Sequence, residues 1–226
     1  MPDQWIIGYG SLMDRASRTR QAPRAQAAFP VQVAGFSVGW FHQLKATLGQ
    51  SLSPTFLGAQ QLENAVCGGV LYKVTESDLS ATDDRETGYR RTPVALDALK
   101  LLTGTAVALK RDDRFWIYVS MEDYMGVPSK TFPLVQSYVD LCLNGSLEAA
   151  QSYPVTAGHF PSWWIDTIDW QPVRQYGHVC WLNDRAYAYR ATFTIPNASS
   201  IDTTLAGNSR TTDLWKTASR QYSLPL

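Results

Sequence analysis

Trp5-Ile6-Ile7-Gly8-Tyr9-Gly10-Ser11-Leu12-Met13 is the stretch from which the rest of the chain can be read. A short apolar run reads as a strand that collapses into a Gly-Tyr-Gly-Ser turn, and Leu12-Met13 leads into a segment that can be helical. Glycines on both sides of Tyr9 permit positive φ and leave no Cβ to block a close approach. The N–H groups of the turn, and those of the helix start behind it, can converge on an anion. The loop therefore reads as a pocket for a substrate carboxylate. The plainer reading is a connection between a strand and a helix.

The chain has 226 residues, 45% hydrophobic and 18% charged, which is enough apolar material for a buried core in one domain, with room for an appended segment. Lys and Arg total 20 and Asp and Glu total 20, so no net field steers the protein toward nucleic acid or an anionic membrane. Arg15, Arg18, Arg20 and Arg24 cluster, and read as a solvated helix face. With neither a leader sequence nor an apolar run of membrane-spanning length, the expectation is a cytoplasmic protein. Cys67, Cys142 and Cys180 are odd in number and widely spaced, which argues against a disulfide framework, and the first two read as core residues. His42, His159 and His178 fall in no metal-ligand pattern and read as packed or surface histidines, so no metal or cofactor is expected. The Walker and dinucleotide-binding patterns are absent.

Along the chain, Asp14 to Gln21 reads as a short helix capped by Asp14 and stopped by Pro23. Val31 to Leu44 reads as a strand bent at Gly35 and Gly39. Thr55–Leu62 and Ala65–Val74 read as a strand pair across a Glu63-Asn64 turn, with a crowded backbone at Gly68-Gly69. Thr75 and Asp78 form a capping box for a helix running to about Glu86 and stopping at Gly88. Strands are expected at Thr92–Leu96, Thr105–Lys110 and Phe115–Ser120. Leu134, Tyr138, Leu141 and Cys142 make a helix stripe that Asn144-Gly145 closes. Phe160, Trp163, Trp164, Trp170 and Trp181 crowd the last third, as core packing or as a pocket for a leaving group. Tyr187, Tyr189, Phe193 and Ile195 alternate as a half-buried strand. Asn197–Asp213 reads as a long loop before a short helix at Leu214–Tyr222.

A second stretch carries chemistry: Thr82-Asp83-Asp84-Arg85-Glu86-Thr87-Gly88-Tyr89-Arg90-Arg91. Glu86 sits at the end of a helix, where the negative end of the macrodipole raises a carboxyl pKa, and burial against Tyr89 would act the same way. A raised carboxyl suits a general base working near neutral pH. The alternative is an ordinary solvated helix end.

Gly8-Tyr9-Gly10-Ser11-Leu12 together with Asp84-Arg85-Glu86-Thr87-Gly88-Tyr89 resembles the γ-glutamylcyclotransferase family, particularly its ChaC-like branch. Trp116-Ile117-Tyr118-Val119, Tyr124-Met125-Gly126 and the segment Ser137–Glu148 resemble later family stretches in the same order. The resemblance covers roughly residues 4–170. It implies an α+β fold, a small mixed β-barrel or curved sheet with helices packed outside. The catalytic domain would span residues 1–170, and residues 171–226 would be an aromatic-rich extension packed on it.

The resemblance also implies a reaction: the α-amine of a γ-glutamyl peptide or amine attacks its own γ-carbonyl and releases 5-oxoproline, with no cofactor and no metal. Glu86 would be the general base. Tyr9, Gly10, Ser11 and Leu12 would hold the glutamyl head group, and Tyr118 would hydrogen-bond in the pocket or position Glu86. The partner is a small-molecule γ-glutamyl substrate, with neither nucleic acid nor membrane involved. Thr87 stands where ChaC members commonly carry a second glycine, and Met13-Asp14 replaces their Ile-Trp. A non-catalytic domain that binds a γ-glutamyl or amino-acid ligand is the reading from another class.

Overall fold

The N-terminal apolar run forms β1 (Gln4–Gly8), a strand buried along its whole length. The computed structural model describes residues 2–44, 53–153, 159–176, 180–185 and 197–218. After β1 come α1 (Arg15–Arg18) and two long strands, β2 (Phe29–Gln43) and β3 (Thr55–Val74). Next are α2 (Glu76–Arg85), β4 (Tyr89–Val94), β5 (Leu99–Leu101) and β6 (Arg114–Ser120). The rest is mainly helical: β7 (Leu134–Val135), α3 (Gln136–Ser152), α4 (Phe160–Thr167), β8 (Ile168–Asp169), α5 (Gln171–Tyr176), β9 (Trp181–Leu182), α6 (Ala198–Gly207) and α7 (Thr212–Ala218).

The strands lie in the spatial order β4-β6-β1-β3-β2-β5, with β8 also beside β2, giving an open mixed sheet in an α+β fold. β1 is central, antiparallel to β3 and parallel to β6, which is why its apolar residues are unbroken rather than alternating. Pro93 is tolerated because β4 lies at an edge.

The sheet bends where β2 and β3 slip register, between Ala34 and Phe36 and again between Trp40 and His42. Gly35 has φ 83 and Asn64 has φ 65, so both strands bulge at the same level. Glu63-Asn64 is therefore not a hairpin turn. β2 is long enough to pair with both halves of β3, and the left-handed Asn64 lets β3 bend without leaving the ladder. Gly68 and Gly69 are crowded as expected: a Cβ would stand 2.6 Å from the Trp163 ring at the first and 2.6 Å from the Gly8 carbonyl oxygen at the second.

Further expectations are corrected. α1 stops at Arg18, with the Asp14 carboxylate accepting the Ser17 N–H at 2.7 Å. Arg18 is buried, not solvated, and donates to the carbonyls of Met13, Ala25 and Gln26. Thr105–Lys110 forms no strand, because the Leu109 N–H turns back on the Val107 carbonyl instead of reaching a neighbour. Asn197–Asp213 is not a loop: it contains α6, whose Ile201 and Leu205 are buried one turn apart. Its Thr203 and Thr204 hydroxyls donate to carbonyls four residues back, so the polar composition is compatible with a helix.

α3 runs straight through Asn144-Gly145, which does not close it. Gly145 is there to be small. A Cβ on it would lie 2.3 Å from the Asp14 nitrogen and the Met13 carbonyl carbon. The neighbouring Asn144 amide donates to the Asp14 carboxylate at 2.8 Å, so α3 is locked against the loop that follows β1.

Phe160, Trp164, Trp170 and Trp181 are buried, and Trp40, Trp170, Trp181 and Trp215 follow one another at ring distances of 5.4, 5.9 and 6.1 Å. They are core. His178, the alternating Tyr187–Ile195 run and the end of the last expected helix lie outside the described residues. Among the described residues, no helix is long and apolar enough to cross a membrane.

Gly145→Ala is expected to lower stability by roughly 1–3 kcal/mol through overpacking, although alanine is intrinsically the better helix former by ~1 kcal/mol. A urea midpoint equal to or above that of the parent would contradict this packing.

Candidate active site

The loop after β1 is built by close approach rather than by left-handed geometry. Gly10 has φ −123, and neither Gly8 nor Gly10 adopts positive φ. A Cβ on Gly8 would meet Leu12 at 2.8 Å, and one on Gly10 would meet the Tyr138 hydroxyl at 2.9 Å. The chain then tightens into a 3-10 turn at Ser11–Met13, closed first by the Met13 N–H on the Gly10 carbonyl at 2.9 Å. The amides of Gly10, Ser11 and Leu12 precede that first closed ring, as at any helix start.

Side chains from distant elements pin the loop. The Tyr9 hydroxyl donates to the Tyr118 carbonyl at 2.6 Å, the Trp164 indole N–H donates to the Tyr9 carbonyl at 3.1 Å, and Arg85 Nη2 donates to Ser11 Oγ at 3.2 Å.

α2 begins with the expected capping box, in which the Asp78 N–H meets Thr75 Oγ1 at 3.2 Å and the Thr75 N–H meets Asp78 Oδ2 at 2.9 Å. It ends with Glu86 as its C-cap, whose N–H still donates to the Thr82 carbonyl at 3.0 Å. Gly88, at φ 81, turns the chain so that the Tyr89 N–H reaches the Glu86 carbonyl at 3.1 Å. A Cβ there would strike the Tyr124 ring at 2.5 Å, so this glycine is required twice over, by conformation and by space.

The Glu86 side chain is 13% exposed, and its Oε1 lies 3.2 Å from Arg85 Nε. Burial raises its pKa above the usual carboxylate range, and the Arg85 guanidinium beside it opposes that shift. Arg85 spends its other donors on the Ser17 carbonyl, Gln21 Oε1, Ser17 Oγ and Ser11 Oγ. One guanidinium therefore joins Glu86 to the Gly-Tyr-Gly-Ser loop. The phenols of Tyr9, Tyr72, Tyr89 and Tyr138 surround the carboxyl; burial raises their pKa values, and the Glu86 charge adds to the effect.

Tyr118 occupies a different position. Its carbonyl anchors Tyr9, while its hydroxyl donates to Asp83 Oδ1 at 2.8 Å, on the turn of α2 that carries Glu86. Asp83 also pairs with Arg91 at 3.3 Å. Tyr118 thus ties α2 to β6 and makes no hydrogen bond to Glu86.

Solved γ-glutamyl cyclotransferases are among the structures similar to this chain. One described as a gamma-glutamyl cyclotransferase is 17% identical, covers 66% of this chain and 80% of its own, and has a TM-score of 0.49. YkqA from Bacillus subtilis is 20% identical over 71% of this chain and 52% of its own, with a TM-score of 0.47. A gamma-glutamyl cyclotransferase specific to glutathione from yeast is 12% identical over 96% of this chain and 98% of its own, with a TM-score of 0.42. No protein-family model and no curated protein matches the chain.

The structure brings Tyr9, Gly10, Ser11 and Leu12 together with Glu86 and sets Tyr118 behind them. Sequence reasoning missed Arg85 as the connector, although it stands inside the motif that singled out Glu86. It also missed Trp164 and Tyr138, which carried the signal of an aromatic core and of a helix stripe. Tyr72 gave no signal, being one aromatic in an apolar strand. Two surface cavities lie elsewhere, one bordered by Arg18, Glu148 and Tyr153 and the other by Val94, Arg111 and Trp116. Among the described residues, no three His, Cys, Asp or Glu side chains are grouped to hold a metal ion.

In a carbon-detected NMR titration, the Glu86 carboxyl should show a midpoint above the ordinary value of about 4.3. Arg85→Gln should move it further up, since the guanidinium favours the ionised form. A parent midpoint at or below the ordinary value, or a downward move in the variant, would contradict the described balance.

Proposed function

We propose that the protein is a γ-glutamyl cyclotransferase that releases 5-oxoproline from a γ-glutamyl peptide or γ-glutamyl amine. The observation that carries this reading is the buried Glu86 carboxyl, raised in pKa and coupled through Arg85 to the Ser11 hydroxyl of the loop. Burial makes it a stronger base than a solvated glutamate, and the loop supplies the donors that a glutamyl head group needs.

In this reading, Glu86 takes a proton from the α-ammonium of the bound substrate. The freed amine attacks the γ-carbonyl carbon, and the new C–N bond closes a five-membered lactam. As the tetrahedral centre collapses, Glu86 returns its proton to the leaving nitrogen as that C–N bond breaks. The second proton of the ring nitrogen passes through the same carboxyl to the departing amine, which leaves as an ammonium. Atoms balance without water, metal or a covalent enzyme intermediate, and the protein's main work is to fold the substrate onto itself. Ser11 Oγ accepts from Arg85, which leaves the Ser11 proton free to donate to a glutamyl oxygen. The backbone amides of Tyr9, Gly10, Ser11 and Leu12 would complete that cradle. Tyr118 serves as a positioning residue through Asp83 and through the Tyr9 hydroxyl.

The tail beyond residue 170 belongs to the same unit in this reading. Arg185 pairs with the buried Asp140 of α3 at 2.6 Å, and Asp184 accepts from the Ser137 N–H and hydroxyl.

Purified protein should release 5-oxoproline from members of a panel of γ-glutamyl peptides and amines assayed by mass spectrometry. Glu86→Gln should cut the turnover rate by about 10²–10⁴-fold, the usual contribution of a positioned base. Thermal stability at neutral pH should hold or rise. A carboxyl with a raised folded pKa costs stability as pH climbs through that pKa, and the neutral amide removes this cost. A Gln variant with full activity would refute the base assignment. Ligand binding by the parent without any 5-oxoproline would favour a non-catalytic binding domain.

A further inference from the structure

His42 is a buried ionisable group packed against the Glu86–Tyr89 turn that the reaction above leaves without a task. It lies on β2, is 1% exposed, and bonds Ser120 Oγ through Nδ1 at 3.2 Å. Its Nε2 meets no partner at hydrogen-bond geometry, although the Thr87 carbonyl acts on the ring. Burial holds the imidazole down to about 4, so it is neutral at physiological pH. Its ring is parallel to that of Tyr89, with centroids 3.6 Å apart at 15°, and to that of Tyr124, at 5.8 Å and 5°.

Tyr89 closes the turn that presents the proposed base, and Tyr124, from the 3-10 turn after β6, packs against it. Tyr89 holds the Glu86 carbonyl through its N–H and donates its hydroxyl to the Leu57 carbonyl at 2.7 Å. Gly88 rests against the Tyr124 ring. The second register slip of β2 falls between Trp40 and His42, so a deliberate irregularity of the strand sets where the imidazole sits. A phenyl ring would stack equally well and would leave no nitrogen unpaired, so the stacking face is the useful property of this side chain.

We propose that His42 is a positioning residue that fixes how far Glu86 is shielded from water, by stacking on Tyr89 and Tyr124 at the back of the Glu86–Tyr89 turn; the proposal rests on the cyclotransferase reading. The groups facing the Glu86 carboxyl are Arg85 from α2, Tyr9 from the loop after β1, Tyr72 from β3, Tyr89 from β4 and Tyr138 from α3. Of these, Tyr89 is the wall whose place depends on His42. When Tyr89 relaxes outward, water reaches the carboxyl, its pKa falls, and the acid limb of the reaction moves to lower pH.

The test compares the parent with His42→Leu, which fills the space without an aromatic face, and with His42→Phe, which restores the stack. For each, kcat/KM is followed against pH with the best substrate of the panel, by the release of 5-oxoproline, beside the thermal midpoint. His42→Leu should displace the acid limb downward by about half a pH unit or more and lower the plateau by roughly 10-fold, as expected for a loosened, less basic general base. His42→Phe should return the limb and the plateau to within about twofold of the parent. A Leu variant that keeps the parental limb overturns the inference whatever its stability, because a merely structural role changes the amount of folded protein and not the limb. A folded Phe variant that behaves like the Leu variant overturns it as well, and decides the matter even where the Leu variant does not fold. Parent protein that releases no 5-oxoproline from any member of the panel overturns the cyclotransferase reading and this inference with it.

Discussion

The Arg85 guanidinium is the interaction on which the rest of the site depends. A carboxyl at a helix C-terminus and a tight loop some seventy residues earlier have no covalent reason to meet. Arg85 gives them one, with Nε on Glu86 and Nη2 on Ser11, while Nη1 is occupied by Ser17 and Gln21. Its planar fork allows this, since a lysine ammonium could not serve both directions in a fixed geometry. Its charge also sets the balance at Glu86. Burial drives the carboxyl toward its neutral form, and the adjacent cation keeps the ionised form within reach.

The fold is arranged to hold the two ends of that bridge still. At the loop end, β1 is paired on both sides, Gly145 lets α3 press on Met13 and Asp14, and Trp164 of α4 holds the Tyr9 carbonyl. At the carboxyl end, the capping box starts α2, Gly88 turns the chain out of it, and Tyr118 fastens Asp83 to β6. β9 and the turn after it add a third support, since Trp181 and Arg185 bind Gln136 and Asp140 of the same α3 that presses on the loop. Stability and preorganisation are here the same set of contacts.

Much of this was legible in the chain because the informative residues obey local rules. Thr75 and Asp78 announce α2, Gly88 announces its end, and Asp14 announces a cap, each through bonds made within a few residues. The loop of Gly8 to Leu12 and the carboxyl of Glu86 were likewise visible as local motifs. What was not legible depends on residues far apart. Glu63-Asn64 looks like a hairpin turn until β2 is seen to pair with both sides of it. Gly145 looks like a helix stop until Met13 and Asp14 are seen against it. α6 was hidden because its composition is polar, its Thr203 and Thr204 hydroxyls bonding the helix backbone, which leaves Ile201 and Leu205 as its buried apolar signal toward the core. Arg85 reads as one charge in a charged run, and only the fold shows which of its neighbours it serves.

The central claim is that the buried carboxyl drives attack of the substrate's own amine and not of water. Turnover of a γ-glutamyl substrate in heavy-oxygen water tests this most directly. Intramolecular attack predicts unlabelled 5-oxoproline, released in equal amount to the leaving amine, with no glutamate. Glutamate carrying heavy oxygen in its γ-carboxylate would mean that Glu86 activates water instead, and would contradict the account.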